Sequence, residues 1–594
     1  MYMKTRTPQK DDNMKILLVS VDAKYIHTNL AVHSLKAYCG RYKDYIDIAQ
    51  YSINHSEEEI LRGIYIHRAD VVAFSCYIWN ISMILNIIKN LRKVQPQVKI
   101  WVGGPEVSYY PKDYLLIYNE LDGIVIGEGE QTFYELVRYY LEDAQTLDNI
   151  NGIAFRDSAR LQCSDNITKD EISITPPRKH MSLDELPFAY ENMEEHKNKI
   201  IYYESSRGCP YSCSYCLSSA HRGVRYRNVQ LVKDELKIFL DNKVPQVKFV
   251  DRTFNCNKEH ALEILRFIKE HDNGITNFHF EITADILSEE ELELLESLRP
   301  GLIQLEIGVQ TTNPDTMKAI NRRVDFNKLS DNVRRIYKAN NIHQHLDLIA
   351  GLPLEDFASF EKSFNDVYSL RPNQLQLGFL KVLKGSIIED QCKEYGIVYR
   401  DKPPYEVLYT RDLTYDDIIE LKGICDMVEV YYNSGQFTHS GEYLIHFFDS
   451  PMKFYSSLYH YYEKRGYYTL AHSRLRRYEI LLEFYENTIE NQSADNKTEN
   501  MALFKEILIY DLCLREALRN RPDYSGDSIP YKVYREICDR EKVSRARIHL
   551  EKFSYDIIES AKEGKPIQRE SIILFDYDNR DPITYSAEVR ILTE

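Results

Sequence analysis

Ile200-Ile201-Tyr202-Tyr203-Glu204 runs straight into Ser205-Ser206-Arg207-Gly208-Cys209-Pro210-Tyr211-Ser212-Cys213-Ser214-Tyr215-Cys216. The first five residues predict a strand, and the rest a loop at its carboxyl end carrying three cysteines spaced C-x3-C-x2-C. Three thiolates on one short loop can hold three irons of a four-iron cluster, leaving the fourth iron without a protein ligand. A structural zinc site usually takes four protein ligands, commonly from two pairs. No second pair lies nearby, and Cys256, on a later loop, is the residue available as a fourth ligand. The other cysteines among the 11, Cys39, Cys76, Cys163, Cys392, Cys425, Cys513 and Cys538, are scattered and read as small buried hydrophobes rather than a disulfide framework.

Downstream, apolar strands recur at Gln246–Val250, Asn277–Thr283, Leu302–Val309, His345–Ile349 and Leu375–Phe379, with amphipathic helices such as Leu231–Leu240 and Ala261–Glu270 between them. With Ile200–Glu204 they make six βα units, too few for a closed eight-fold barrel but right for a partial one. Asp251, Glu281, Asp285, Gln310 and Glu355 fall at or after strand ends, where such a barrel places its chemistry. Beyond 391 helical patterns dominate, at Tyr415–Tyr432, Glu442–Arg465, Leu470–Asn491 and Met501–Arg519. The end reads as a small β unit of Arg547–Phe553, Ile572–Tyr577 and Ile583–Ile591.

Upstream, strands Lys15–Ser20, Tyr45–Ile53, Val71–Tyr77, Val98–Val102 and Asp122–Ile126 alternate with helices, among them Leu30–Tyr38, Ile81–Val94 and Thr132–Leu141. Five βα units without hairpin signals imply a doubly wound parallel sheet. A ligand then sits outside the carboxyl ends of the strands, at Asp22–Thr28, Ser75–Trp79, Gly103–Ser108 and Gly127–Glu130. No G-x-G-x-x-G follows the first strand, so a dinucleotide is disfavoured.

At 594 residues the chain needs about three or four domains. No apolar run approaches the roughly 20 residues of a spanning helix, and the first 13 residues are polar and lack a secretory apolar segment. Lys+Arg 75 against Asp+Glu 91 gives 75 − 91 = −16, which argues against a nucleic-acid binder held by a global positive field. Two local basic patches remain. One is Arg207, Arg222, Arg225 and Arg227. The other is Lys464, Arg465, Arg474, Arg476 and Arg477, beside Tyr455, Tyr459, Tyr461, Tyr462, Tyr467 and Tyr468, which read as stacking surfaces or as helix packing.

The cysteine spacing, with Tyr215 before the third cysteine, resembles the signature of radical S-adenosylmethionine (SAM) enzymes. Phe249–Asn255, Leu305–Thr311 (E-x-G-x-Q), Leu346–Glu355 (D-x-I-x-G-x-P) and Lys381–Ser386 resemble their later strand motifs. The preceding sheet, opening Asp22-Ala23-Lys24-Tyr25-Ile26-His27, is similar to the cobalamin-dependent branch with a further C-terminal domain of unknown function. The corrinoid motif D-x-H-x-x-G is absent, since Lys24 stands two after Asp22 and His27 lies too far along.

The resemblance implies an α/β chain: a flavodoxin-like doubly wound parallel sheet, a partial (βα)6 TIM-like radical SAM barrel, and a mainly helical C-terminal domain with a small β unit. The expected divisions are a polar leader at 1–13, a cobalamin-binding domain at 14–145, a connector at 146–195, the radical SAM domain at 196–390 and a substrate-selecting domain at 391–594. It implies a [4Fe-4S] cluster on Cys209, Cys213 and Cys216, and SAM near Tyr215, Asp251, Glu281, Glu306 and Gln310. Cobalamin is expected near Ser75, Gly103, Gly104, Gly127, Glu128 and Gly129.

The implied activity is reductive SAM cleavage with methylation of an unactivated carbon of a small-molecule or peptide substrate. Ring contraction, cyclisation or sulfur insertion is the alternative chemistry, and a corrinoid- or redox-sensing binding protein the non-enzymatic one. The setting implied is an anaerobic cytoplasm with a low-potential electron donor, without membrane insertion.

Overall fold

The computed structural model describes residues 14–142, 146–156, 171–219, 223–489, 497–518 and 521–592. The polar leader, Cys163, Arg222 and the end of the helix expected at Met501–Arg519 lie outside the described residues. The chain folds as two compact units. One comprises Met1–Ile282, Ile320–Arg322 and Lys381–Val407; the other comprises Thr283–Ala319, Arg323–Leu380 and Leu408–Glu594.

The first unit opens with β1 (Ile16–Asp22), α1 (Leu30–Tyr38), β2 (Ile46–Ser52), α2 (Glu57–His67), β3 (Val71–Ser75), α3 (Ile81–Val94) and β4 (Lys99–Gly103). There follow α4 (Pro105–Ser108), α5 (Pro111–Ile117), β5 (Gly123–Val125), α6 (Glu130–Glu142), β6 (Ile153–Arg156) and β7 (Ile172–Ile174). The sheet order is β2-β1-β3-β4-β5-β6-β7, parallel through β5. Strand residues alternate between two cores: Leu17, Val19, Val72, Phe74, Ile100 and Val102 face one, and Ile16, Leu18, Val71, Ala73 and Trp101 the other. That is the double burial the near-continuous apolar runs require.

The segment expected to be a connector differs from that expectation. Its β6 and β7 extend the sheet in antiparallel sense. At four and three residues they are too short to give a period-two signal.

Continuing in the same unit are β8 (Ile200–Tyr203), β9 (Ser206–Cys209), β10 (Gly223–Tyr226), α7 (Val229–Asp241), β11 (Gln246–Phe249), α8 (Lys258–Glu270) and β12 (Asn277–Ile282). β11 pairs in parallel with β8 and β12. The second unit carries α9 (Glu289–Glu296), β13 (Ile303–Gln310), α10 (Pro314–Ala319), α11 (Phe326–Ala339), β14 (His343–Ala350), α12 (Phe357–Tyr368) and β15 (Gln374–Phe379), with β14 parallel to β13 and β15. These are the six expected βα strands.

The remainder holds α13 (Ile387–Tyr395), β16 (Val398–Tyr399), β17 (Val407–Tyr409), α14 (Tyr415–Val428), α15 (Thr438–Ile445), α16 (Pro451–Arg465), α17 (Arg474–Phe484), α18 (Lys497–Cys513) and α19 (Tyr531–Glu541). It ends with β18 (Ile548–Tyr555), α20 (Ile557–Glu563), β19 (Gln568–Arg580) and β20 (Ala587–Leu592). The helix expected over Glu442–Arg465 is two helices. Ser450 caps the second by accepting from the Lys453 N–H, and Pro451 sits in its first turn, where a missing N–H costs nothing. Tyr455, Tyr459, Tyr461 and Tyr462 are buried, so these rings are packing rather than stacking platforms.

Candidate functional site

The three cysteines sit on a hairpin built for them. β9 pairs antiparallel with β10, and Gly208, at φ 106°, passes so close that a Cβ would lie 2.2 Å from the Gly223 carbonyl oxygen. Only glycine fits there. Between the strands the loop is pinned by its backbone. The Ser214 N–H donates to the Ile320 carbonyl at 2.9 Å, and the Ser214 carbonyl accepts from the Ile388 N–H at 2.8 Å.

Cys213 is buried, with Cys209 and Cys216 half-buried. Arg322 Nη1 lies 3.9 Å from Cys213 Sγ and 3.5 Å from the Tyr215 hydroxyl, and Thr253 Oγ1 lies 3.7 Å from Cys209 Sγ. Burial pushes the Cys213 thiol up while Arg322 pulls it back. Three thiols on one short loop, with Cys209 and Cys216 near enough to act on the Cys213 charge, and polar partners beside two of them, fit an iron–sulfur cluster with one open iron. Cys256 is turned to the Tyr226 hydroxyl, 3.0 Å away.

Asp251 holds the segment that leads into this loop. It accepts from the Ser205 N–H at 2.9 Å, from Ser205 Oγ at 2.7 Å and from Ser206 Oγ at 2.5 Å. Burial pushes its carboxyl up to about 6 against those bonds. Glu281 lies at the end of β12, half-buried.

At the other sheet the order reverses between β1 and β3, the switch point where a ligand is expected. Asn80 ties the two strand ends, donating to the carbonyls of Val21 and Ser75 at 3.0 Å each. Tyr77 and Trp79 stack at 4.4 Å between centroids. Trp79 is 48% exposed and Tyr25, on the β1 loop, 72%. Exposed aromatic surface at a switch point, with Gly127 at φ 76° and open space where its side chain would be, suits a large planar ligand such as a corrin.

Gly104 is a tight turn: a Cβ would fall 2.4 Å from the Cys76 carbonyl oxygen. Gly103 and Gly129 pack on Val125 and Leu35. His27 lies against Tyr202, at 3.4 Å from its hydroxyl.

The acidic loop Glu128–Glu130 meets the basic run. Arg207 bonds Glu130 at 2.8 Å and Glu204 at 2.7 Å and lies 3.2 Å from Glu128. Arg225 also pairs with Glu128, and Arg227 with Glu235 at 2.6 Å. These three arginines are therefore paired within the protein. In the same unit buried Glu106 accepts from Tyr114 at 3.0 Å and lies 3.1 Å from Lys384 Nζ. A Cβ on Gly385 would fall inside the Tyr109 ring.

In the second unit β13 alternates strictly, with Gln304, Glu306, Gly308 and Gln310 on its half-buried face. Glu306 pairs in register with His345, and Gly308 with Asp347. His345 and Asp347 are 3.0 Å apart. Gln310 follows a register shift and has φ 71°. Its buried Oε1 has no hydrogen-bond partner among the described residues. Behind it Glu355 Oε1 accepts from Thr311 Oγ1 at 2.6 Å and Ser363 Oγ at 3.1 Å, and burial pushes this carboxyl up to about 7.

Sequence reasoning missed Arg322 and Asn80, and it did not single out Thr253, Glu106 or Lys384 within the stretches Phe249–Asn255, Gly103–Ser108 and Lys381–Ser386. Arg322 is 109 residues from Cys213 and belongs to no motif. Asn80, before a helix, reads only as a cap.

Comparison with known proteins accords with this geometry. Residues 16–137 match the B12 binding domain, 203–367 the radical SAM superfamily, and 393–575 a protein family of unknown function, DUF4080. Among curated proteins, the cobalamin-dependent radical SAM methyltransferase TokK of Streptomyces tokunonensis is 25% identical over 342 residues, 55% of this chain and 49% of that protein. Among solved structures, OxsB with aqua-cobalamin bound aligns at TM-score 0.55 and 14% identity, covering 93% of this chain and 78% of that one. TsrM from Kitasatospora setae, with cobalamin and a [4Fe-4S] cluster bound, aligns at 0.52 and 16%, covering 66% and 79%. These two likenesses are of fold.

The chain spans about half the length of the curated relatives it matches. The chain therefore carries a B12 binding domain, a radical SAM domain and a DUF4080 region in that order. Among the described residues no helix is long and apolar enough to cross a membrane.

Proposed function

We propose that this protein is a cobalamin-dependent radical SAM enzyme that methylates an unactivated carbon of a small-molecule or peptide substrate. The observation that carries the reading is the cysteine loop, three sulfurs on a hairpin fixed at the carboxyl end of β8. When bound, the cluster and cobalamin supply one-electron cleavage of SAM and carriage of its methyl group.

The chain's own residues bind and orient. Cys209, Cys213 and Cys216 are the cluster ligands, with Arg322 and Thr253 as outer partners. Tyr215, Glu281, Glu306 and Gln310 are assigned to SAM, and Ser75, Gly127 and the Tyr77–Trp79 pair to the corrinoid. Asp251 positions the loop through Ser205 and Ser206. Gly103, Gly104, Glu128 and Gly129, expected to touch cobalamin, are reassigned to shaping the strand-end loops. The 391–594 segment selects the substrate. The reading places the protein in the cytoplasm, served by a low-potential electron donor. The likeness to TokK, a cobalamin-dependent radical SAM methyltransferase, supports methyl transfer as the reaction.

The test is anaerobic reconstitution followed by reduction with SAM. About four irons per chain and release of 5'-deoxyadenosine are expected, both lost in the triple Cys209→Ala, Cys213→Ala, Cys216→Ala variant. Persistent SAM cleavage in that variant would end the assignment. Extracts of a deletion strain, supplied with methyl-labelled SAM and the enzyme, should yield a labelled product. Cleavage with no label in product would replace methyl transfer by ring contraction, cyclisation or sulfur insertion. A loaded cluster that never cleaves SAM would favour a corrinoid sensor.

A further inference from the structure

A second group of metal-ligating side chains lies wholly within the DUF4080 region. Cys513 is the last residue of α18, and His549 and Glu551 stand two apart on β18. A strand places residues i and i+2 on one face. Tyr510, three residues before Cys513, packs on Phe553 and Phe575 of β18 and β19. That contact lays the end of α18 on the sheet, and one helical turn brings Cys513 to the same side. The ligand atoms of the three residues all lie within 4.8 Å of one another. Cys513 and Glu551 are buried, and His549 is 9% exposed.

A tetrahedral zinc with bonds of about 2.0 to 2.3 Å holds its donors about 3.3 to 3.8 Å apart. His549 Nε2 and Glu551 Oε2 are 3.0 Å apart, within a few tenths of an ångström of such an edge.

Arg521 donates to both Glu551 oxygens, at 2.8 and 2.6 Å. An ion network of Arg521, Glu551 and His549 therefore accounts for the two strand residues without a metal. It does not account for a fully buried thiol placed against both. With a divalent ion the thiolate and carboxylate balance the charge of the metal, and Arg521 becomes the outer partner that fixes the carboxylate.

We propose that Cys513, His549 and Glu551 bind a zinc-like divalent cation, with the fourth position left to water. Sulfur, imidazole and carboxylate together select a borderline-soft ion over magnesium or calcium. The site is independent of the cysteine loop and of any reaction there.

The test uses the reconstituted 594-residue chain, dialysed after exposure to zinc, with zinc and iron measured separately. About one tightly held zinc per chain is expected, with iron unchanged. Cys513→Ser and His549→Asn should each weaken zinc at least tenfold. Zinc should raise the thermal midpoint of the parent and of neither variant. Because a variant can misfold, cobalt(II) is also bound to the parent chain carrying alanine at the three loop cysteines, where a thiolate-to-cobalt absorption is expected. Zinc below about a tenth per chain in the parent, zinc retained equally in both variants, or a cobalt spectrum without the thiolate band would each overturn the site and leave the Arg521 network as its explanation.

Discussion

Arg207, two residues before the first loop cysteine, donates at 2.8 Å to Glu130, the first residue of the helix after β5. The hairpin that carries the cysteines is thus tied to the strand-end loop of the first sheet, with Glu128 and Glu204 on the same guanidinium. Both partners are largely buried, so removing Arg207 leaves the carboxylates of Glu130 and Glu204 without this cation, worth about 3 to 5 kcal/mol. Arg207→Met should lower stability by that order and reduce iron retained after reconstitution. Arg207→Met with Glu130→Gln should lose less than the sum of the singles. Additive losses in anaerobic denaturation would show that the pair is not coupled.

Cys256 has the Tyr226 hydroxyl as its hydrogen-bond partner, at 3.0 Å. Cys256→Ala should keep about four irons per chain and its SAM cleavage, while Cys213→Ala should lose both. An iron count that falls to the level of Cys213→Ala would make Cys256 the fourth ligand.

Two glycines assigned by sequence to cobalamin separate by geometry. Gly104 is at φ 117°, and a Cβ there would stand 2.4 Å from the Cys76 carbonyl oxygen, whereas Gly127 is at φ 76° with nothing within 4 Å of that position. Gly104→Ala should cost about 3 kcal/mol or more, since backbone must move. Gly127→Ala should cost about 1 to 2 kcal/mol, the left-handed penalty alone, and act chiefly on cobalamin retention. Equal thermal losses in the two variants would contradict this division.

The strands were legible because burial on both faces writes apolar runs, and the cysteine loop because one cofactor demands three thiols on a short segment. β6 and β7 were not, being too short for a period. Nor was the pairing of Arg207, Arg225 and Arg227, since Glu128, Glu130 and Glu235 reach them only through the fold. Arg322 could not be found at all, as no local pattern places a cation on a sulfur 109 residues away.

Gln310 combines φ 71° with a buried Oε1 lacking a partner among the described residues. Gln310→Gly relieves the left-handed strain of about 1 to 2 kcal/mol and adds chain entropy of similar size. Stability should therefore stay within about 1 kcal/mol of the parent, while the SAM dissociation constant rises about tenfold, the worth of one lost hydrogen bond in a buried site. Unchanged SAM affinity by calorimetry would remove Gln310 from the SAM site.

Glu355 is 1% exposed, and burial raises its carboxyl to about 7 despite the Thr311 and Ser363 hydroxyls. The folded state therefore binds this proton more tightly than the unfolded chain, whose carboxyl titrates near 4.5. Its contribution to stability is fully present below about pH 4.5, declines as pH rises, and is lost above pH 7, a total on the order of 3 kcal/mol. Glu355→Gln keeps an Oε1 acceptor for Thr311 and Ser363 and cannot ionise. Relative to the parent, the variant should gain stability between pH 5 and pH 8, by up to about 3 kcal/mol in paired denaturant titrations. A parent–variant difference that is flat across that range, or that grows in the opposite direction, would mean that Glu355 is already ionised at pH 5.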